Sequence, residues 1–134
     1  MQALEKELEH RFHINKKDDL TMSINLSPDK DWVFYHGHFP GLPILPAYAI
    51  TEISVFFAEI FMQSAASLAT LHGLRMRNPI IPGMQLRLEL IKDNKSNRFQ
   101  MTWKSELDDK LLLASIDFEV APEQQVKDLV DEKS

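Results

Sequence analysis

The sequence predicts an α+β domain in which an antiparallel sheet packs on one long helix. Three observations predict it. Ala47 to Ala66 contain no glycine or proline and are rich in Ala, Ile, Phe and Met, apolar nearly all the way round, so this helix must be buried on most sides. Three later segments and one earlier one alternate apolar and polar residues with period 2, as half-buried strands do. Short polar turns join most of those segments, as in hairpins.

Taken in order, residues 1–12 form a short helix with Leu4 and Leu8 one turn apart, and Lys16 to Asp19 are a polar connection. Leu20, Met22, Ile24 and Leu26 alternate with Thr21, Ser23 and Asn25 as the first strand. Ser27 to Asp31 make a turn. His36 to Pro46 hold two of the four glycines and three of the seven prolines, so this stretch is a shaped loop without regular structure. After the helix, Leu71 to Arg77 form a strand and Pro79 to Gly83 a bend. Leu86, Leu88 and Leu90, then Phe99, Met101 and Trp103, then Ala114, Ile116, Phe118 and Val120 are the apolar faces of three more strands. Pro122 ends the sheet, and the polar residues 122–134 are a tail beyond a core of about 18–121. A chain of 134 residues is one domain.

Composition narrows the function. Net charge is −5, against the basic footprint of a nucleic-acid binder. From Arg75 to Lys110 eight basic residues meet five acidic ones, a local excess of +3 that suits an acidic partner, although a solvated face of mixed charge is the more ordinary reading. The chain has no cysteine, which excludes disulfides, thiolate nucleophiles and cysteine-based zinc sites, and no metal-ligand spacing stands out among its five histidines. The first residues carry acids where a signal peptide needs an apolar run, and no stretch is apolar enough for a membrane span. The expected location is the cytoplasm.

Chemistry concentrates where the loop meets the long helix. His36 and His38 lie in the loop, and Glu52 lies about one and a half turns into the helix among apolar neighbours. Burial there disfavours the ionised carboxylate. A protonated carboxyl near a neutral imidazole is an acid–base pair suited to neutral pH. The first backbone N–H groups of the helix, around Ala47 and Tyr48, can polarise a carbonyl oxygen. The plainer reading keeps the histidines structural and Glu52 as a residue favoured by the helix dipole.

The run His38-Phe39-Pro40-Gly41, followed by Pro43, Pro46 and Glu52, resembles the active-site segment of the 3-hydroxyacyl-(acyl-carrier-protein) dehydratases of the FabZ/FabA type. That segment reads His-Phe-Pro-Gly-x-Pro-x-x-Pro-Gly, with an acid farther along the helix at the same spacing. The run from Arg75 to Leu86, with Asn78-Pro79-Ile80-Ile81-Pro82-Gly83 at its centre, is similar to a second family stretch. The resemblance implies the hotdog fold, no cofactor, and dehydration of a 3-hydroxyacyl thioester in fatty-acid or polyene-type lipid biosynthesis. His38 is implied as the base and Glu52 as the acid. Backbone N–H groups at Ala47 and near Gly41 are implied for the thioester oxygen, and Phe39, Tyr48 and Phe56 for the acyl tunnel. Arg75, Arg77 and Arg87 are the expected docking residues for an acidic acyl carrier protein. The family builds each site from two subunits, so a dimer is implied, either of one chain or with a second hotdog subunit.

Departures from the family pattern keep two other readings open. Ala47 stands where the family has glycine, Phe56 where it often has a polar residue, Met84 where it has an acid, and Tyr48 is bulkier than usual. They suit a specialised dehydratase, or a weakly active or inactive subunit paired with an active one. A thioesterase on the same fold ranks last, because the His-Phe-Pro-Gly loop is not that branch's usual mark. Glu59, seven residues after Glu52, shares its helix face but has no family role.

Overall fold

The computed structural model describes residues 4, 6, 8–36, 41 and 43–123. Strands β1 (Phe12–Lys17) and β2 (Thr21–Leu26) come first, followed by a 3-10 turn at Val33–Tyr35 and helix α1 (Ala47–Met62). Strands β3 (Ala66–Met76), β4 (Leu86–Lys92), β5 (Arg98–Ser105) and β6 (Leu112–Pro122) complete the chain. The six strands form one sheet in the order β1-β2-β4-β5-β6-β3, with every pairing antiparallel.

The register turns the alternating pattern into a single inner face. Ile24 pairs with Leu88, Leu88 with Trp103, and Trp103 with Ala114; one row along, Met22, Leu90, Met101 and Ile116 pair in the same succession. All eight are buried. Each large aliphatic or aromatic side chain removed from water contributes about 1.5–3 kcal/mol. Phe99 and Phe118 stack with ring centroids 5.7 Å apart, and Phe61 of α1 meets Phe99 edge-on at 5.9 Å. The helix approaches this face through small residues: Ala49, Ser54 and Ala58 are fully buried, and the Trp103 indole N–H donates to the Ser54 hydroxyl at 3.4 Å.

Two boundaries differ from the sequence reading. Residues 16–19 were expected as a polar connection and residue 12 as the end of a helix, yet β1 occupies Phe12–Lys17 and adds a sixth strand. Its polar side chains are mostly exposed because it is an edge strand, so only Phe12 and Ile14 pack against the core. Leu4, Lys6 and Leu8 are helical, and Leu4 and Leu8 are buried. The long helix stops at Met62, and β3 begins at Ala66 where the sequence suggested Leu71. Gln63 causes the stop: it takes the left-handed conformation (φ 55°, ψ 40°), and its N–H bonds back to Glu59 and Ile60. Glycine usually fills this position, so the turn has no glycine to announce it. The tail beyond residue 123 lies outside the described residues.

A side chain in the left-handed region costs about 1–2 kcal/mol relative to right-handed backbone. Gln63→Gly should therefore stabilise the fold by about 1 kcal/mol after its own entropic cost, raising Tm by a few degrees. A calorimetric scan checks this; a lower Tm would mean that the Gln63 side chain contributes contacts worth more than the relieved strain.

Candidate active site

The loop that carries the histidines is pinned on both sides. Before it, Trp32 stacks on Tyr35 (6.4 Å, 20°) and meets Phe34 edge-on. The Tyr35 hydroxyl donates to the Ile80 carbonyl at 3.4 Å, and burial holds this phenol well above its ordinary pKa. After the loop, the Leu45 N–H donates to the same Ile80 carbonyl at 2.9 Å. Ile80 belongs to the Pro79–Gly83 bend that resembles the second family stretch, so that bend clamps both ends of the loop. His36 closes the 3-10 turn through its N–H on the Val33 carbonyl and is exposed. Gly41 has φ 80°, where a side chain would strain the backbone although a Cβ would meet no atom within 4 Å. His38 and Phe39 lie outside the described residues.

Helix α1 starts at Ala47 behind Pro46, an N-cap that makes no side-chain hydrogen bond. Helix starts leave N–H groups without intrahelical partners, and proline has no side-chain acceptor to cap them. Ala47 is exposed at this end.

Glu52 corrects an expectation. Its sequence neighbours suggested a buried, desolvated carboxyl, but it is exposed. Ile50, Ile53, Ser54, Phe56 and Phe57 are buried, and the helical repeat of 3.6 residues aims them at the sheet and Glu52 away from it. The carboxylate lines an apolar groove of about 280 Å³ between α1 and the start of β3, together with Thr51, Val55, Glu59, Ala66 and Leu68. A larger trough of about 500 Å³ crosses the outer face of the sheet at Arg75, Arg98, Gln100 and Asp117. There Arg98 and Asp117 already satisfy each other through two 2.9 Å hydrogen bonds.

The tunnel candidates separate. Phe56 is buried and packs edge-on to Phe12 at 5.8 Å, beside Phe57 at 5.2 Å, so it is held in the hydrophobic core. Tyr48 is 45% exposed and rests edge-on against Phe34. The basic residues do not form a tight cluster. Arg75 lies on β3 and the Arg77 N–H bonds the Leu113 carbonyl, whereas Arg87 lies on β4, two strands away from β3's neighbour β6. Arg87 is paired with Lys104 across β4–β5 and lies 3.7 Å from Glu89. All three arginines are exposed. Lys104 belongs to that basic row, which only the strand register reveals.

Comparison with known proteins places the chain by family and fold. Residues 13–115 match the family described as ApeI-like, ApeI dehydratase. The 3-hydroxyacyl-(acyl-carrier-protein) dehydratase FabZ of Fusobacterium nucleatum is 33% identical over 95 residues, covering 66% of this chain and 67% of that one. The chain spans 63% of the length of a second FabZ, from Pediococcus pentosaceus. Among solved structures, the dehydratase heterocomplex ApeI:P from Xenorhabdus doucetiae superposes with a TM-score of 0.71 at 19% identity, over 81% of this chain and 94% of that one. Mouse thioesterase superfamily member 2 superposes at 0.67 with 10% identity, over 90% and 88%. The helix and its six-stranded sheet are a hotdog fold, and a family match that runs from β1 into β6 shows that the chain belongs to the ApeI-like dehydratase family.

Proposed function

We propose that this protein dehydrates 3-hydroxyacyl thioesters carried on an acyl carrier protein to trans-2-enoyl thioesters. The observation that carries the reading is Glu52, an exposed carboxylate on a largely buried helix, beside a groove and close to a helix start whose N-cap, Pro46, makes no side-chain hydrogen bond. His38 takes the proton from C2. The electron pair left behind forms the C2–C3 double bond as the C3–O bond breaks. The protonated Glu52 gives its proton to the departing hydroxyl, which leaves as water, and His38 returns its proton to Glu52. The Ala47 N–H, assisted by the Gly41 region, stabilises the negative charge that develops on the thioester oxygen. Alanine at 47 keeps that donor and adds only a methyl group.

The site is completed by a second subunit, which supplies the cover that Glu52 lacks in its own chain. Support comes from the two edges of the sheet. Both edge strands have irregular pairing, with one register shift in β1 and two in β3, but β1 also carries Lys16 and Lys17, charges that blunt an edge. β3 is an 11-residue strand with no lysine, paired only with β6 and exposed along nearly all its length. It presents Leu68, Leu71 and Met76 at 40–45% exposure. Pairing of β3 with the β3 of a partner continues the sheet and brings the groove beside β3 to the interface. The carrier protein then docks on the row of Arg75, Arg77, Arg87 and Lys104 by charge. The same features also suit a heterodimer with an active hotdog partner, a reading favoured by Ala47, Tyr48 and the buried Phe56.

Purified protein should form the enoyl thioester, and His38→Ala and Glu52→Gln should each lower kcat by about 10²–10⁴-fold. Silence of the wild type on every chain length would move the reading to the paired, inactive subunit. Release of free thiol without enoyl product would move it to a thioesterase. Placing like charges along β3 with the double variant Leu68→Lys, Leu71→Lys should shift the protein to monomer in sedimentation and remove activity with it; an unchanged dimer would locate the interface elsewhere.

A further inference from the structure

Tyr35 takes no part in the proton transfers proposed above. It is buried and stacks on Trp32, and its hydroxyl donates to the Ile80 carbonyl at 3.4 Å. Burial raises the pKa of the phenol, so it stays protonated and able to donate through the neutral range.

The acceptor is a fixed point. The Ile80 side chain is fully buried, and the bend around it is tied on both sides. Asn78 Nδ2 donates to the Leu112 carbonyl of β6 at 2.8 Å, and the Gly83 N–H donates to the Pro28 carbonyl at 3.0 Å. The Leu45 N–H reaches the same Ile80 carbonyl at 2.9 Å. A carbonyl oxygen has two lone pairs and can accept both donors. Tyr35 and Leu45 are ten positions apart, and the segment between them carries His36 and His38. Holding both ends of a short segment on one atom removes much of its conformational freedom. Pro40 and Pro43 stiffen it from within. The two anchors differ in kind. The one at Leu45 is backbone, open to any residue but proline. The one at Tyr35 is a side-chain hydroxyl, which phenylalanine lacks while keeping the ring that stacks on Trp32.

We propose that Tyr35 is a positioning residue: its hydroxyl, held on the Ile80 carbonyl, sets where the segment carrying His38 stands relative to helix α1. This rests on the dehydratase reading, in which His38 is the base. In the full-length protein, Tyr35→Phe should lower kcat for 3-hydroxyhexanoyl carrier protein by about tenfold, as a displaced base does. With the histidine rings labelled with carbon-13, the His38 signals of the variant should shift or broaden, while those of His10, His13 and His72 stay in place. A general loosening of the fold would move His72 on β3 as well. An unchanged kcat, or His38 signals that do not move, overturns the proposal. A variant that fails to fold, or one in which all the histidine signals move together, also overturns it, because the hydroxyl then holds the core and not the loop. If the wild type dehydrates no chain length, the dehydratase reading fails separately. The His38 signals then decide alone: their selective movement supports the positioning role, and their constancy overturns it.

Discussion

The constraint on which the rest of the structure depends is the need to cover a 16-residue helix whose side chains are overwhelmingly apolar. Nine of those residues are buried. One sheet face can cover them only if it is broad, continuous and curved around the rod, and the register of β2, β4, β5 and β6 provides that by lining up large residues row by row. Where a Trp comes inward, at position 103, Ala114 stands opposite and the small Ser54 faces it from the helix. Close packing of this kind makes the helix a rigid support, which a positioned acid requires. Thr51, Glu52 and Glu59 stand on the side of the helix that borders the start of β3.

The second constraint is how the chain leaves that helix. The left-handed Gln63 turns it within three residues into β3, which joins the sheet at the far edge beside β6. This single turn fixes three things together. It ends the helix, it leads the chain into an edge strand of the sheet, and it brings the Ala66 N–H to Glu59. The Pro79–Gly83 bend does comparable work at the other end of the helix, because one carbonyl, that of Ile80, receives both Tyr35 and Leu45. Two motifs far apart in sequence are thus two halves of one mechanical clamp on the histidine loop.

Much of this was legible in the sequence, and the gaps have physical reasons. Period-2 alternation located β2, β4, β5 and β6 because each has one wet and one dry face. It missed β1, where only Phe12 and Ile14 alternate with polar residues before the run Asn15, Lys16 and Lys17, too short a stretch of alternation to mark a strand. The overrun of the helix past Met62 has the same character: the stop depends on a backbone angle at a glutamine, where propensity reads no break. The error over Glu52 is the most instructive. Apolar neighbours in sequence describe the whole circumference of a helix, whereas burial depends on one direction around it, and that direction is set by the sheet. The basic row is similar, since Arg87 and Lys104 become neighbours only through the β4–β5 register.

The exposure of Glu52 also bears on how an acid on this fold can work. A carboxyl that must donate a proton near neutral pH needs a low-polarity setting that favours its protonated form. Among the described residues, Glu52 stands exposed on the helix. A solvated carboxylate costs the isolated subunit nothing, whereas a permanently buried one would have to be stabilised by a partner group at the expense of its acidity. On the proposed reading, assembly with a second subunit and binding of the acyl chain are the events that remove water from Glu52, and the open stripe on the helix makes the chemistry conditional on the complete complex.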